Sequence, residues 1–339
     1  MNDTLRALGP EGLRLFLQRE QPLDDAALDA LCAQKDARHS LLYWFTDLEL
    51  ARAEAQRTKK PILSLHLLGR LDEELSCANS RFFRTTLYPH PKVSAELREH
   101  FVLHWHSVRP VPVVRVDLGN GRTLTRTITG NSAHLVLDSQ GRPLDVIPGM
   151  HAPHAFLDAL RFARTIATEV ASLPDADRVT FLAHAHSRRL TSLVETWARA
   201  TKHRTEPDWK QLAGPVEFTP NAMMAMTRKS PPTAREAGAR AMTKLRVEFP
   251  LLRALSTLEN DVAEDTARNR YLLHRQVHER FANRQPTRDW GELSDWVYEE
   301  LFLMPPSDPW LGLAPEDAYS GLEDAGLSLS LRQRGEGQG

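Results

Sequence analysis

Pro61-Ile62-Leu63-Ser64-Leu65-His66-Leu67-Leu68 is the stretch that most limits the possible folds, because it is almost continuously apolar and bounded by a proline. Such a run has no solvent-facing side, so it reads as a strand covered on both faces, the pattern of α/β sheets rather than open antiparallel ones. Its flanks agree. The Ala and Leu spacing from Thr46 to Lys60 is helical, Val93 to His100 predicts another helix, and Phe101 to Val108 another strand. With 339 residues the chain is long enough for two domains, each with a sizeable core. Its 43 basic and 44 acidic residues leave a formal charge of -1, so no global field draws it to nucleic acid or to anionic lipid. No apolar run approaches the ~18 residues of a membrane span. The start, Met1-Asn2-Asp3-Thr4-Leu5-Arg6, lacks the basic and apolar parts of a signal peptide, so a cytoplasmic protein is expected. Cys32 and Cys77 are the only cysteines, which fits a reducing compartment and excludes a disulfide framework or a cysteine-rich metal site.

The second cysteine stands in Ser76-Cys77-Ala78-Asn79-Ser80-Arg81-Phe82-Phe83, after the apolar run and at the start of a predicted helix. A thiol in a first helical turn faces unpaired backbone N–H groups, which favour the thiolate, and Arg81 one turn along would act in the same direction. The spacing Cys77-x-x-Ser80 replaces the second sulfur of a dithiol motif by a hydroxyl, so any chemistry is monothiol. A lone cysteine is, however, more often an inert small apolar residue.

Around this stretch the order of elements resembles thioredoxin-like proteins. Tyr43-Trp44-Phe45, an Ala-rich helix and Lys60-Pro61 lead into the strand. Downstream, Pro91-Lys92-Val93, Leu97 and His100-Phe101-Val102 resemble the run from the active-site helix to the next strand. His134-Leu135-Val136-Leu137-Asp138, the turn Ser139-Gln140-Gly141-Arg142 and Pro148-Gly149 resemble the family's last hairpin and its closing glycine. The resemblance covers about residues 40–170 and places Cys77 and Ser80 where the two family cysteines stand. It implies a thioredoxin fold, with Cys77 as nucleophile, Ser80 or Arg81 as its hydrogen-bond partner, and a groove wall at Ser132 and Ala133. Two features depart from the family. Ser132-Ala133 stands in place of the cis-proline, which predicts a trans bond and a reshaped groove, since a non-proline cis bond costs about 2.5–4 kcal/mol. The loop His66–Ser76 is long and carries Asp72, Glu73 and Glu74, which would oppose a nearby thiolate. Glu74 also occupies the place of a peroxiredoxin's Thr or Ser, and the likeness to monothiol glutaredoxins is confined to C-x-x-S.

The expected organisation is an N-terminal helical extension (1–39), an α/β thioredoxin-like domain (40–173), an all-α domain (174–331) and a disordered tail (332–339). Two short helices are expected in 4–36, with Cys32 on an apolar face. A hairpin around Gly119-Asn120-Gly121, within Val111–Thr129, reads as an insertion, either a partner-facing flap or an edge decoration. Past Pro174 strand patterns vanish. Helices are expected over Val179–Ala200, Ala234–Val247, from Ser256 to about Asn283, and over Asp289–Phe302, with a last short one starting at Pro315. Met223, Met224, Met226 and Met242 read as gap-filling core. Thr227-Arg228-Lys229-Ser230 reads as a solvated loop, and Trp310 as the anchor of a stiff Pro-rich segment.

Several histidines are spaced for chemistry. His274 and His278 lie four apart on one helical face, compatible with a metal, but they supply two ligands where a structural zinc takes four. They read as surface or interhelical hydrogen-bonding groups, and no metal or other cofactor is expected. His104 and His106 share a strand face, whereas His184 and His186 point different ways on a helix. Two functions remain open. One is a monothiol redox protein using Cys77 on a disulfide, mixed disulfide or peroxide of a protein or thiol partner. The other is a catalytically inactive thioredoxin-like scaffold that binds a protein partner.

Overall fold

The structure, a computed structural model, describes residues 2–19, 22–127, 130–202, 209–215, 258–285 and 289–309. Within them the protein is mixed α/β, with a four-stranded sheet and a helical C-terminal region. The expected helices at Ala234–Val247 and Pro315, the four methionines, Thr227–Ser230, Trp310 and the tail 332–339 lie outside the described residues. None of the described helices is long and apolar enough to cross a membrane.

Three helices open the chain, α1 (Asn2–Ala7), α2 (Pro10–Leu17) and α3 (Asp25–Cys32), one more than the sequence suggests. The extra one is fixed by tertiary contacts: Leu5 is buried, and the Arg6 guanidinium donates to the carbonyls of Leu31 (2.6 Å) and Trp44 (2.9 Å). Asp47 caps α4 (Leu48–Thr58) by accepting from the N–H groups of Glu49 and Leu50. Lys59 then takes a left-handed conformation and Pro61 ends the turn.

All seven residues of β1 (Ile62–Leu68) are buried, which accounts for the apolar run. α5 (Ala78–Phe82) passes into a π-helical turn, Phe83–Leu87, and then comes α6 (Pro91–His100). β2 (Val102–Arg109) pairs parallel with β1, Ile62 opposite Val102. Next comes a separate two-stranded ribbon, β3 (Val113–Asp117) with β4 (Thr123–Thr127), at the expected hairpin. β5 (Ala133–Leu137) pairs antiparallel with β1, and β6 (Pro143–Pro148) antiparallel with β5, giving the order β2-β1-β5-β6. Phe45 bridges His104 and so extends the sheet past β2.

Helices α7 (Pro153–Val170) and α8 (Asp175–Thr201) follow, then α9 (Trp209–Ala213) and α10 (Leu258–Arg268). A π-turn at Asn269–Leu273 joins α10 to α11 (His274–Ala282), and α12 (Trp290–Trp296) ends in a third π-turn, Val297–Leu301. Although the sequence suggests a boundary at Pro174, one buried apolar cluster runs from Leu5 through the sheet to Val277, Phe281, Val297 and Leu301. Polar contacts cross the same line: the Thr266 hydroxyl accepts from the Ala152 N–H at 2.7 Å, and Ser294 Oγ is 2.8 Å from His66 Nδ1. The N-terminal extension is joined just as firmly. The indole N–H of Trp44 donates to Gln34 and that of Trp105 to the Ala33 carbonyl.

Candidate functional site

Cys77 occupies the N-cap of α5, with its backbone N–H donating to the Leu68 carbonyl at 3.1 Å, so the end of β1 fixes its position. Its side chain is fully buried. Sγ lies 3.0 Å from Ser132 Oγ and 3.5 Å from Ser80 Oγ, while the Ser80 hydroxyl donates to the Cys77 carbonyl at 2.9 Å. Three of the residues singled out in the sequence, Cys77, Ser80 and Ser132, therefore meet. Ala133, also buried, begins β5 and pairs with Pro148. Arg81 is drawn elsewhere: its guanidinium donates to Thr127 Oγ1 on β4 at 2.9 Å and ties α5 to the ribbon.

The segment that covers the thiol is Gly130-Asn131-Ser132. Gly130 has φ +133°, and a Cβ placed on it would come within 2.7 Å of Cys77 Cβ and 3.3 Å of Leu68 Cδ1. Only glycine meets both demands. Asn131 pins the segment: its Oδ1 accepts from Asn79 Nδ2 and from the Ser132 N–H, and its carbonyl accepts from the Tyr298 hydroxyl at 3.1 Å. No cis peptide bond occurs among the described residues, as expected at Ser132-Ala133. Gly149, at φ +71°, donates its N–H to the Ser132 carbonyl.

The long loop before Cys77 pairs acidic side chains within itself. Arg70 forms ion pairs with Asp72 and Glu73, and the carbonyls of Glu73 and Glu74 accept from the buried guanidinium of Arg84. Two tyrosines border the site. Burial pushes the hydroxyls of Tyr88 and Tyr298 well up, and the charge of a Cys77 thiolate would act in the same direction. Tyr88 Oη is 2.7 Å from His134 Nε2. Cys32 is buried and free, and burial pushes its thiol up to about 12, so it offers no second nucleophile.

The role of Gly130, Asn131 and Tyr298 carries little sequence signal. A Gly-Asn pair before a strand marks a turn, but nothing local shows that a tyrosine 167 residues later closes onto it. Of the two readings of His274 and His278, surface or interhelical, the surface one fails: both are buried, and His278 faces His186 across two helices at 2.8 Å. His184 and His186 point different ways, as expected, the first exposed and the second buried. The rings of His66 and His106 have their centroids 5.2 Å apart, and each makes a T-shaped contact with Trp290.

Replacing Gly130 by Ala is expected to destabilise the fold by roughly 1–3 kcal/mol, from the positive φ and the clash with Cys77 together. Urea unfolding measures it. An unchanged midpoint would mean that the covering segment packs less closely than its geometry indicates.

No protein-family model matches the chain, and a search of curated proteins finds no match.

Proposed function

We propose that the chain is a thioredoxin-like scaffold that holds its thiol closed and binds a protein partner through the β3–β4 ribbon. The observation that carries this reading is the full burial of Cys77 beneath Gly130-Asn131-Ser132, which leaves a disulfide or peroxide no path to the sulfur. The thioredoxin-like part is supported by the course of the chain. The thiol follows β1, a helix beginning at Pro91 leads into β2, and the β5–β6 hairpin closes on Gly149 before α7. The partner-binding part is supported by the ribbon. A two-stranded ribbon is marginal by itself, yet this one leaves Val113, Val116 and Leu118 at 48%, 41% and 57% exposure. Arg115, Arg122 and Arg126 are exposed on the same ribbon against one acidic residue, Asp117. A partner with apolar and acidic groups would suit that surface.

Alkylation of Cys77 in a Cys32→Ser background tests the closed thiol. Labelling is expected to be negligible in native protein and complete in denaturant; rapid native labelling would overturn the scaffold reading. The ribbon is tested by a photo-crosslinking residue at Val116, with Leu50, 60% exposed on α4, as control. A discrete adduct in producing cells from position 116 alone is expected. Equal adducts at both positions, or none at 116, would remove the ribbon as a docking site.

One observation favours monothiol chemistry as a second reading: Ser132 Oγ lies 3.0 Å from Sγ, and its hydroxyl could donate to a thiolate. That thiolate would attack one sulfur of a disulfide, forming a mixed disulfide and releasing the other sulfur as a thiolate, once the covering segment moved aside.

A further inference from the structure

Away from the thiol, Asp145 on β6, His186 on α8 and His278 on α11 converge, all three buried, with one donor atom from each within 4.8 Å of the others. The tautomers can be partly assigned. His186 Nε2 lies 2.9 Å from the Leu144 carbonyl, which only accepts, so Nε2 carries the hydrogen and Nδ1 presents a bare lone pair. That lone pair faces His278 Nδ1 at 2.8 Å. If His278 Nδ1 carries its hydrogen, Nε2 is left as a buried acceptor; if Nε2 carries it, two lone pairs confront each other. His278 Nε2 has no hydrogen-bond partner in either case. Two lone pairs facing each other in a buried site are costly, and a cation between the two Nδ1 atoms relieves that confrontation, while the His278 Nε2–H stays without a partner.

We propose that Asp145, His186 and His278 bind a zinc ion that fastens the helical C-terminal region to the edge of the sheet. The donor set is two imidazole nitrogens and one carboxylate oxygen, a combination that suits zinc and leaves one coordination position for water. The surroundings match a metal centre as well. His186 donates its other ring N–H to a backbone carbonyl, the usual way in which a ligating imidazole is oriented. Asp145 Oδ1 accepts from the Val146 N–H at 2.8 Å, and His274 Nε2 stands 3.1 and 3.2 Å from its two oxygens, so His274 is a positioning residue for the carboxylate. Phe281 stacks on His186 at 4.4 Å, and Phe162 makes T-shaped contacts with both His186 and His278, walling the site with apolar groups. Tetrahedral zinc with bonds of about 2.0–2.1 Å sets its donors roughly 3.4 Å apart, so the two Nδ1 atoms need to separate by only about half an ångström. The sequence spacing paired His274 with His278 and no metal was expected; the structure brings His278 together with donors 92 and 133 residues earlier in the chain.

The test uses the full chain without a histidine tag, stripped by a chelator and titrated with zinc. One equivalent per chain is expected to bind, raising Tm by roughly 4 °C when free zinc reaches a hundred times Kd. Asp145→Asn and His278→Gln, checked for folding by circular dichroism, are expected to lose binding, and His274→Gln to weaken it about 10–100-fold. X-ray absorption of the wild-type zinc complex decides the matter even if those variants do not fold. A first shell of nitrogen and oxygen with two imidazoles supports the site, whereas sulfur or an all-oxygen shell overturns it. Failure of the stripped wild type to bind zinc at micromolar concentration, or undiminished binding by both folded ligand variants, would overturn it equally.

Discussion

Acidification from pH 7 to pH 5 is expected to remove most of the protein's stability, because several histidines are buried neutral. His134 and His151 are pushed down to about 3 and His104 to about 4, and His66 lies well below its ordinary value, in each case chiefly by burial. Their hydrogen bonds suit the neutral ring. Ser64 Oγ sits between His104 Nδ1 (2.7 Å) and His66 Nε2 (3.1 Å), and the Tyr88 hydroxyl meets His134. In the unfolded chain each imidazole protonates near pH 6.5, so below that pH the unfolded state binds protons that the folded state refuses. Their stabilising contribution is therefore complete above about pH 6.5 and is lost as pH falls toward the folded values, by about 1.4 kcal/mol per histidine per pH unit. For His104, His134 and His151 together the loss at pH 5 is on the order of 6 kcal/mol, comparable to the whole stability of many domains. Denaturant midpoints at pH 7, 6 and 5 measure it. A flat profile across that range would mean that these rings take up protons without unfolding.

Cutting the chain at Pro174 is expected to leave residues 1–173 without a cooperative fold. Val262, Val277, Phe281, Leu293, Val297 and Tyr298 all come after the cut and are fully buried in the same cluster as the sheet. At ~1.5–3 kcal/mol for each large apolar side chain, their loss removes on the order of 10 kcal/mol, and it leaves the partners that they cover facing water. Unpaired polar groups add to this, since His66 Nδ1 would lose Ser294, the Ala152 N–H would lose Thr266 and the Asn131 carbonyl would lose Tyr298. The expected product is insoluble, or binds hydrophobic dye and unfolds without a sharp urea transition. A soluble 1–173 with a cooperative transition would show that the sheet and its own helices suffice, as the sequence pattern alone suggests.

Local chemistry was legible where a few adjacent residues decide the outcome. The apolar run 61–68 could be little other than a buried strand, the helical spacing over 46–60 and 93–100 falls on α4 and α6, and Gly119 and Gly121 turn the ribbon at φ +73° and +77°. The position of Cys77 at a helix start was equally local, as was its spacing to Ser80. Its burial was not, because the covering segment comes 53 residues later and is pinned by a tyrosine from the last π-turn.

The sequence by itself determined the element types and the pairing of a thiol with a nearby hydroxyl, through propensity, caps and periodicity that act over a few residues. Only the tertiary structure decided that the chain past Pro174 shares the sheet's core, that Arg81 turns to Thr127 rather than remaining a local partner for the thiol, and that Asp145, His186 and His278 meet. The reason is that burial and side-chain convergence depend on contacts between segments far apart in the chain, which no window of sequence contains. A histidine's place on a helix can be read from its spacing, whereas the partner that it faces is set by the packing of helix against sheet.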